Sequence, residues 1–187
     1  MRLGGAFPAG THSAPAFGPL SDSYGSQFTL NLDVGAKPSK YVFVGAFLGA
    51  GFGDLGPKFA ECRSGVISCS AQTYRVGPEV LVSILPGSLI DPWIGAGVGF
   101  EYTARHESAS GSGLSEATYG PEFAHLMLGA DFRVNRYLGV GPFLDVSLAE
   151  YTTQTDSSPG ELSVTNELPQ KSVHAWAQLG ARFVLFP

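Results

Sequence analysis

Charge is scarce in this 187-residue sequence, with Asp, Glu, Lys and Arg at 14% against roughly 25% in an average soluble domain. Lysine is the rarest charged type, confined to Lys37, Lys40, Lys58 and Lys171. The net charge of −5 leaves no basic stripe to neutralise phosphates, which excludes nucleic acid as the partner. No run approaches the ~18 consecutive apolar residues of a transmembrane helix. The N-terminus, Met1-Arg2-Leu3-Gly4-Gly5, lacks the apolar stretch and cleavage site of a signal peptide. An exported chain needs such a signal, so Met1 is expected to stand where one was removed. Cysteine is limited to Cys62 and Cys69, and their spacing forms neither a CxxC motif nor a zinc ligand set. A local disulfide across that polar stretch is expected, with two free thiols as the alternative. No metal or cofactor is expected.

What is abundant points one way. Apolar residues at 44% and aromatics at 12% exclude a disordered chain. Glycine at 25 residues and proline at 13 disfavour helices. The dominant signal is alternation with period two, which marks strands whose two faces differ. Val42, Val44, Ala46, Leu48, Ala50 and Phe52 alternate with Tyr41, Phe43, Gly45, Phe47, Gly49 and Gly51. Ile94, Ala96, Val98, Phe100 and Tyr102 alternate with Gly95, Gly97, Gly99, Glu101 and Thr103. The same grammar runs through 125–134 and 138–148, and through segments near 25–36, 72–84 and 172–186, with a weaker first strand near 2–9. Short turns at Lys37–Lys40, Pro86–Asp91 and Asn135–Arg136 alternate with long polar loops near 11–24, 54–71, 105–117 and 152–170. Residues 1–187 therefore read as a single all-β domain, an eight-stranded antiparallel up-and-down transmembrane barrel. Gly77-Pro78, Gly120-Pro121 and Gly141-Pro142 fall inside strands, and bulges or tight bends near strand ends are expected there.

Charge placement separates a membrane barrel from a soluble one. Arg2, Asp33, Arg75, Glu79, Glu101, Asp131, Arg133, Asp145 and Arg182 all fall on the glycine-containing face. The other face is almost wholly Val, Leu, Ile, Ala and Phe, as lipid requires. Those charges, together with Glu150, are expected to share the lumen and pair there, with His125 and His174 nearby and inward Phe43, Phe47, Phe143 and Trp176 taking up space. Tyr41, Tyr74, Trp93, Tyr102, Tyr119, Tyr137 and Tyr151 lie near strand ends and are expected to form aromatic girdles at the two interfaces. A soluble ligand carrier with eight strands would place its faces the other way round.

At the C-terminus, Gln178-Leu-Gly180-Ala-Arg-Phe183-Val-Leu185 follows an order of polar, any, Gly, any, any, apolar, any, apolar, with Phe186 just after it. Taken with the strand pattern, the chain resembles the small eight-stranded outer-membrane barrels of Gram-negative bacteria, the OmpA-transmembrane-domain and OmpX-like group. Pro187 stands where an aromatic terminus is more usual. The resemblance implies outer-membrane location, membrane lipid as the surroundings, and recognition of Gln178, Gly180, Phe183 and Leu185 by the barrel-assembly machinery. A monomer with a filled lumen and no catalytic site is expected, its role structural or surface-interactive through loops whose ligand the sequence does not name. A narrow pore for ions or small solutes is the alternative. A lipid-modifying enzyme is more distant, because no serine is brought convincingly to His125 or His174, or to His12 and His106 beside Ser13 and Glu107.

Overall fold

The computed structural model describes residues 1–11, 18–64, 67–109, 112–157, 162–168 and 171–185. Its strands are β1 (Arg2–Gly10), β2 (Tyr24–Ala36), β3 (Val42–Leu55), β4 (Ser68–Ser83), β5 (Ile90–Ala109), β6 (Ser112–Arg133), β7 (Leu138–Glu150), β8 (Thr153–Ser157), β9 (Val164–Glu167) and β10 (Val173–Leu185). Each barrel strand pairs with its neighbours antiparallel. β1 meets β10 from Arg2↔Arg182 to Gly10↔His174, and β5 meets β6 from Ile90↔Phe132 to Ala109↔Ser112. The ring runs β1-β2-β3-β4-β5-β6-β7-β10 and closes on itself. Closure removes every sheet edge from the eight staves. β8 and β9 lie outside the ring. β8 pairs with the start of β6 (Glu116↔Asp156) and β9 pairs with β8 (Gln154↔Asn166), so the sheet continues past one rim.

The usual order of burial is inverted. Leu48, Leu126, Leu128 and Leu179 are each more than half exposed on the outer wall, while Arg2, Glu101 and Asp145 are 1%, 0% and 0% exposed inside. Alternation produces this directly, because successive side chains of a strand point to opposite faces. Two apolar clusters close the ends of the polar interior. Leu81, Trp93, Met127 and Phe143 pack at the turn rim. At the loop rim Leu20, Tyr24, Leu55, Ala71, Tyr151, Leu168 and Trp176 pack together. Leu20 reaches that cluster from a short helix, α1 (Leu20–Ser23).

Three expectations change. The hairpin near 105–117 is not a loop, since β5 and β6 stay paired to Ala109↔Ser112. Ser, Thr and Glu on both faces there remove the apolar alternation without ending the ladder. The 152–170 loop likewise contains the β8–β9 hairpin. Gly77-Pro78 and Gly141-Pro142 are not bulges. Val76↔Phe100 and Glu79↔Gly97 keep one register around the first, and Gly129↔Phe143 and Phe132↔Val140 keep one around the second. Each proline faces outward and offers no N–H to the strand across from it. The glycine before it takes up the displaced carbonyl. A Cβ at Gly77, Gly120 or Gly141 would stand 2.0, 1.9 or 1.6 Å from the carbonyl oxygen of Val98, Glu150 or Ala130. Beside Gly120-Pro121 a bulge does occur, between Glu122 and Ala124.

A filled polar lumen as the candidate site

The inward faces of seven strands build two hubs of opposite sign. In the half nearer the turns, Arg2 of β1 donates from Nη2 to Asp33 Oδ1 (2.7 Å) and from Nη1 to Asp145 Oδ2 (2.9 Å). Glu79 Oε2 lies 3.6 Å from the same guanidinium. Asp145 Oδ2 is also 2.8 Å from His125 Nε2, and His125 Nδ1 is 2.6 Å from Glu122 Oε1. The His125 ring packs on Phe47 at 4.3 Å between centroids. One arginine thus serves three carboxylates, and one histidine sits between two.

In the half nearer the loops a carboxylate is at the centre. Glu101 Oε2 accepts from Arg75 Nε at 2.9 Å. Its Oε1 accepts from Tyr151 Oη at 2.9 Å and Trp176 Nε1 at 3.3 Å, and lies 3.0 Å from His174 Nε2. Tyr151 and His174 stack at 4.0 Å, and the Arg75 guanidinium lies 5.5 Å from the Trp176 ring centre. A buried ion is tolerated only when paired and hydrogen-bonded, and residues from several strands meet that condition here. Nearer the turn rim, Arg182 Nη1 donates to Asp131 Oδ2 at 2.7 Å and its guanidinium lies 4.3 Å from the Trp93 ring centre. Beside the Arg75 guanidinium, Gln27, Thr29, Asn31, Thr73 and Gln178 line a cavity of only about 10 Å³, room for about one water.

The loop rim is capped and pinned. Cys62 and Cys69 form a disulfide, and both pack with Phe59 against the cluster around Tyr24 and Trp176. Above that cap, Arg105 bonds Glu116 at 2.5 Å, lies 4.0 Å from Glu107 and stacks 4.8 Å over Phe59. Partial burial pushes the Glu116 carboxyl above the ordinary carboxylate range, opposed by Arg105.

Other expected site residues separate. Tyr74, Tyr102 and Tyr119 form an outward ladder across β4, β5 and β6, with centroids 6.3 and 6.4 Å apart. Tyr41 and Tyr137 are exposed at the turn rim. Trp93 and Tyr151 are not girdle residues. They are 1% and 0% exposed because each shares the inward parity of its strand, Trp93 with Gly95 and Glu101, Tyr151 with Asp145 and Ser147. Glu150 has the outward parity between buried Ala149 and Tyr151, so it does not join the lumen charges. Arg133 is half-buried at the turn rim. Glu122, absent from the expected set, is 1% exposed inside. The bulge after it reverses the parity that His125 and Asp131 follow, which hid it from a strict two-residue period.

In the C-terminal strand, Gln178 Oε1 accepts from Asn31 Nδ2 at 3.1 Å inside the barrel. Gly180 faces Gly4 across the closing seam, where a Cβ would stand 2.5 Å from the Gly4 Cα. Phe183 is half-buried and Leu185 exposed. Phe186 and Pro187 lie outside the described residues, as do His12 and Ser13. His106 is exposed, out on the strand extension beyond the lumen. Among the described residues, no serine hydroxyl hydrogen-bonds His125 or His174; their ion-pair and stacking partners are carboxylates and rings, although Ser147 lies across from His125 in the register.

Inverted burial, closed ring and plugged interior together define an outer-membrane type of β-barrel fold. A major outer membrane protein from Thermus thermophilus shares it, with a TM-score of 0.52 at 14% identity over 98% of this chain and 99% of that one. A mutant porin of Rh. blastica aligns over 99% of each chain at 10% identity, but its TM-score of 0.12 carries no structural argument. No protein-family model and no curated protein matches the sequence.

Proposed function

We propose that this protein is a monomeric barrel of the Gram-negative outer membrane whose work is structural and surface-interactive rather than conductive or catalytic. The single observation that carries this reading is the filled interior. Arg2, Arg75, Glu79, Glu101, Glu122, His125, Asp145, His174 and Trp176 occupy the bore, each at most 6% exposed, and a capped cluster lies above them. A column so occupied leaves no continuous aqueous path, which fits a barrel of eight strands. Lipid would contact the wall of Leu, Val, Ile and Phe, and the C-terminal strand would be read by the assembly machinery. Interaction with other molecules then falls to the loop rim, where β4, β5, β6, β8 and β9 rise as one sheet and every residue of β9 is exposed. Rigidly held outer segments are where binding surfaces commonly reside.

The narrow pore is the second reading, favoured by the small polar cavity that Gln27, Thr29, Asn31, Thr73 and Gln178 line together with Arg75. Single-channel recording of refolded protein in a planar bilayer, with insertion checked independently, decides between them. A silent bilayer is expected. Discrete steps that change on neutralising Asp145 would replace the structural reading with the pore.

A further inference from the structure

The three turns of the turn rim differ in chemistry. The β2–β3 turn carries exposed Lys37 and Lys40, with Lys40 5.0 Å from the Tyr41 ring centre. The β6–β7 turn carries Arg136, 4.4 Å from the Tyr137 ring centre. Cation and tyrosine together suit the level of lipid headgroups. The β4–β5 turn between them has no cation. It exposes Ile84, Leu85, Leu89 and Ile90 by 52%, 55%, 73% and 45%.

Several of its polar groups are bonded within the protein. Asp91 Oδ1 accepts from the Leu85 N–H at 3.1 Å, and the Ser88 hydroxyl bonds the carbonyls of Leu85 (2.7 Å) and Ile90. The Ile84 N–H donates to Pro92 O, and the Leu89 carbonyl accepts from the Arg133 N–H. Leu85 thus has both backbone groups bonded within the protein and Leu89 its carbonyl, which lowers the cost of placing their side chains in hydrocarbon.

The apolar surface is also longer here than a span requires. About ten residue steps from Tyr74 to Ile84, at about 3.3 Å each and a tilt of about 40°, already cover the roughly 25 Å apolar band of such barrels. Leu85 and Leu89 extend beyond it, continuous with Val80, Val82 and Ile94 on the wall.

We propose that the β4–β5 turn is a lipid anchor, its Leu85 and Leu89 side chains seated among the acyl chains of the inner leaflet. Lys37, Lys40 and Arg136 on the flanking turns hold the phosphate level, so the bilayer edge dips toward the protein's own turn at this one place. The inference rests on the membrane reading above. Its occupant is phospholipid rather than a protein, because the patch is continuous with the lipid-facing wall and flanked by cations complementary to anionic headgroups.

The test uses the full chain refolded into vesicles of phosphatidylcholine with phosphatidylglycerol. Tryptophan is introduced singly at Leu89→Trp, Leu85→Trp, Ser39→Trp and, as the mid-wall control, Leu128→Trp, against the buried Trp93 and Trp176 common to all. The expected result is that lipids brominated on the acyl chain quench Leu89→Trp and Leu85→Trp, while acrylamide quenches them at least two-fold less than Ser39→Trp. Quenching of both by acrylamide to the same extent as Ser39→Trp would overturn the anchor and leave the patch to a protein partner. Failure of brominated lipid to quench Leu128→Trp would instead overturn the membrane reading itself.

Discussion

The two halves of the lumen solve one problem with opposite arrangements. Near the turns a single arginine, Arg2, is shared by Asp33, Asp145 and Glu79. Near the loops a single glutamate, Glu101, receives Arg75 together with Tyr151, Trp176 and His174. The anion hub is closely satisfied, mostly by neutral or conditionally charged donors. The cation hub is oversubscribed, and neither Glu79 oxygen has a hydrogen-bond donor among the described residues. Buried ion networks differ in value according to how completely each member is satisfied. Removing a residue from each half therefore has unequal consequences.

Arg2→Met is expected to have the largest effect. It strands three carboxylates, and breaking a buried ionic cluster at its shared cation costs about 3–5 kcal/mol. Equilibrium urea unfolding in vesicles, followed by the folded band on unboiled gels, measures it. Unchanged stability would show that Arg2 is not the hub. Glu101→Gln comes next, at about 3 kcal/mol, because Arg75 loses its close carboxylate while the amide still accepts from Tyr151. Glu79→Gln is expected to change stability by less than about 1 kcal/mol, since it removes an acid that Arg2 serves only at long range. If Glu79→Gln proved as damaging as Glu101→Gln, the contrast between the hubs would collapse.

Most of the fold was legible in the residues themselves. Alternation assigns Leu126, Leu128, Leu144 and Val146 outside and His125, Met127, Asp145 and Ser147 inside, and the structure places them so. Charge placement supplies the direction, because a lipid-facing wall and a charged lumen cannot exchange faces. Trp93 and Tyr151 are readable by the same parity, which outweighs their position near strand ends. Glu122 was not readable: a bulge inserts one residue, and a strict period of two then assigns everything before it to the wrong face. The strand extensions past the loop rim were hidden for another reason. Outside lipid both faces are polar, so hydrogen bonding continues with no hydrophobic signal to announce it. The joining of charges into two hubs depended on the stagger between strands, which no single strand encodes.

The placement of Arg2 at the seam has a consequence for how the barrel assembles. Its partners come from β2 on one side of the β1–β10 junction, from β4 further round, and from β7 on the other side. A sheet not yet joined end to end can satisfy Asp33, but Asp145 remains a strand pair away from its cation. Closing the seam and completing the Arg2 hub are thus one event. A half-zipped intermediate keeps the pairs made within one side, such as Arg75–Glu101 and His125–Asp145, but leaves Arg2 without Asp145, which disfavours lingering open forms.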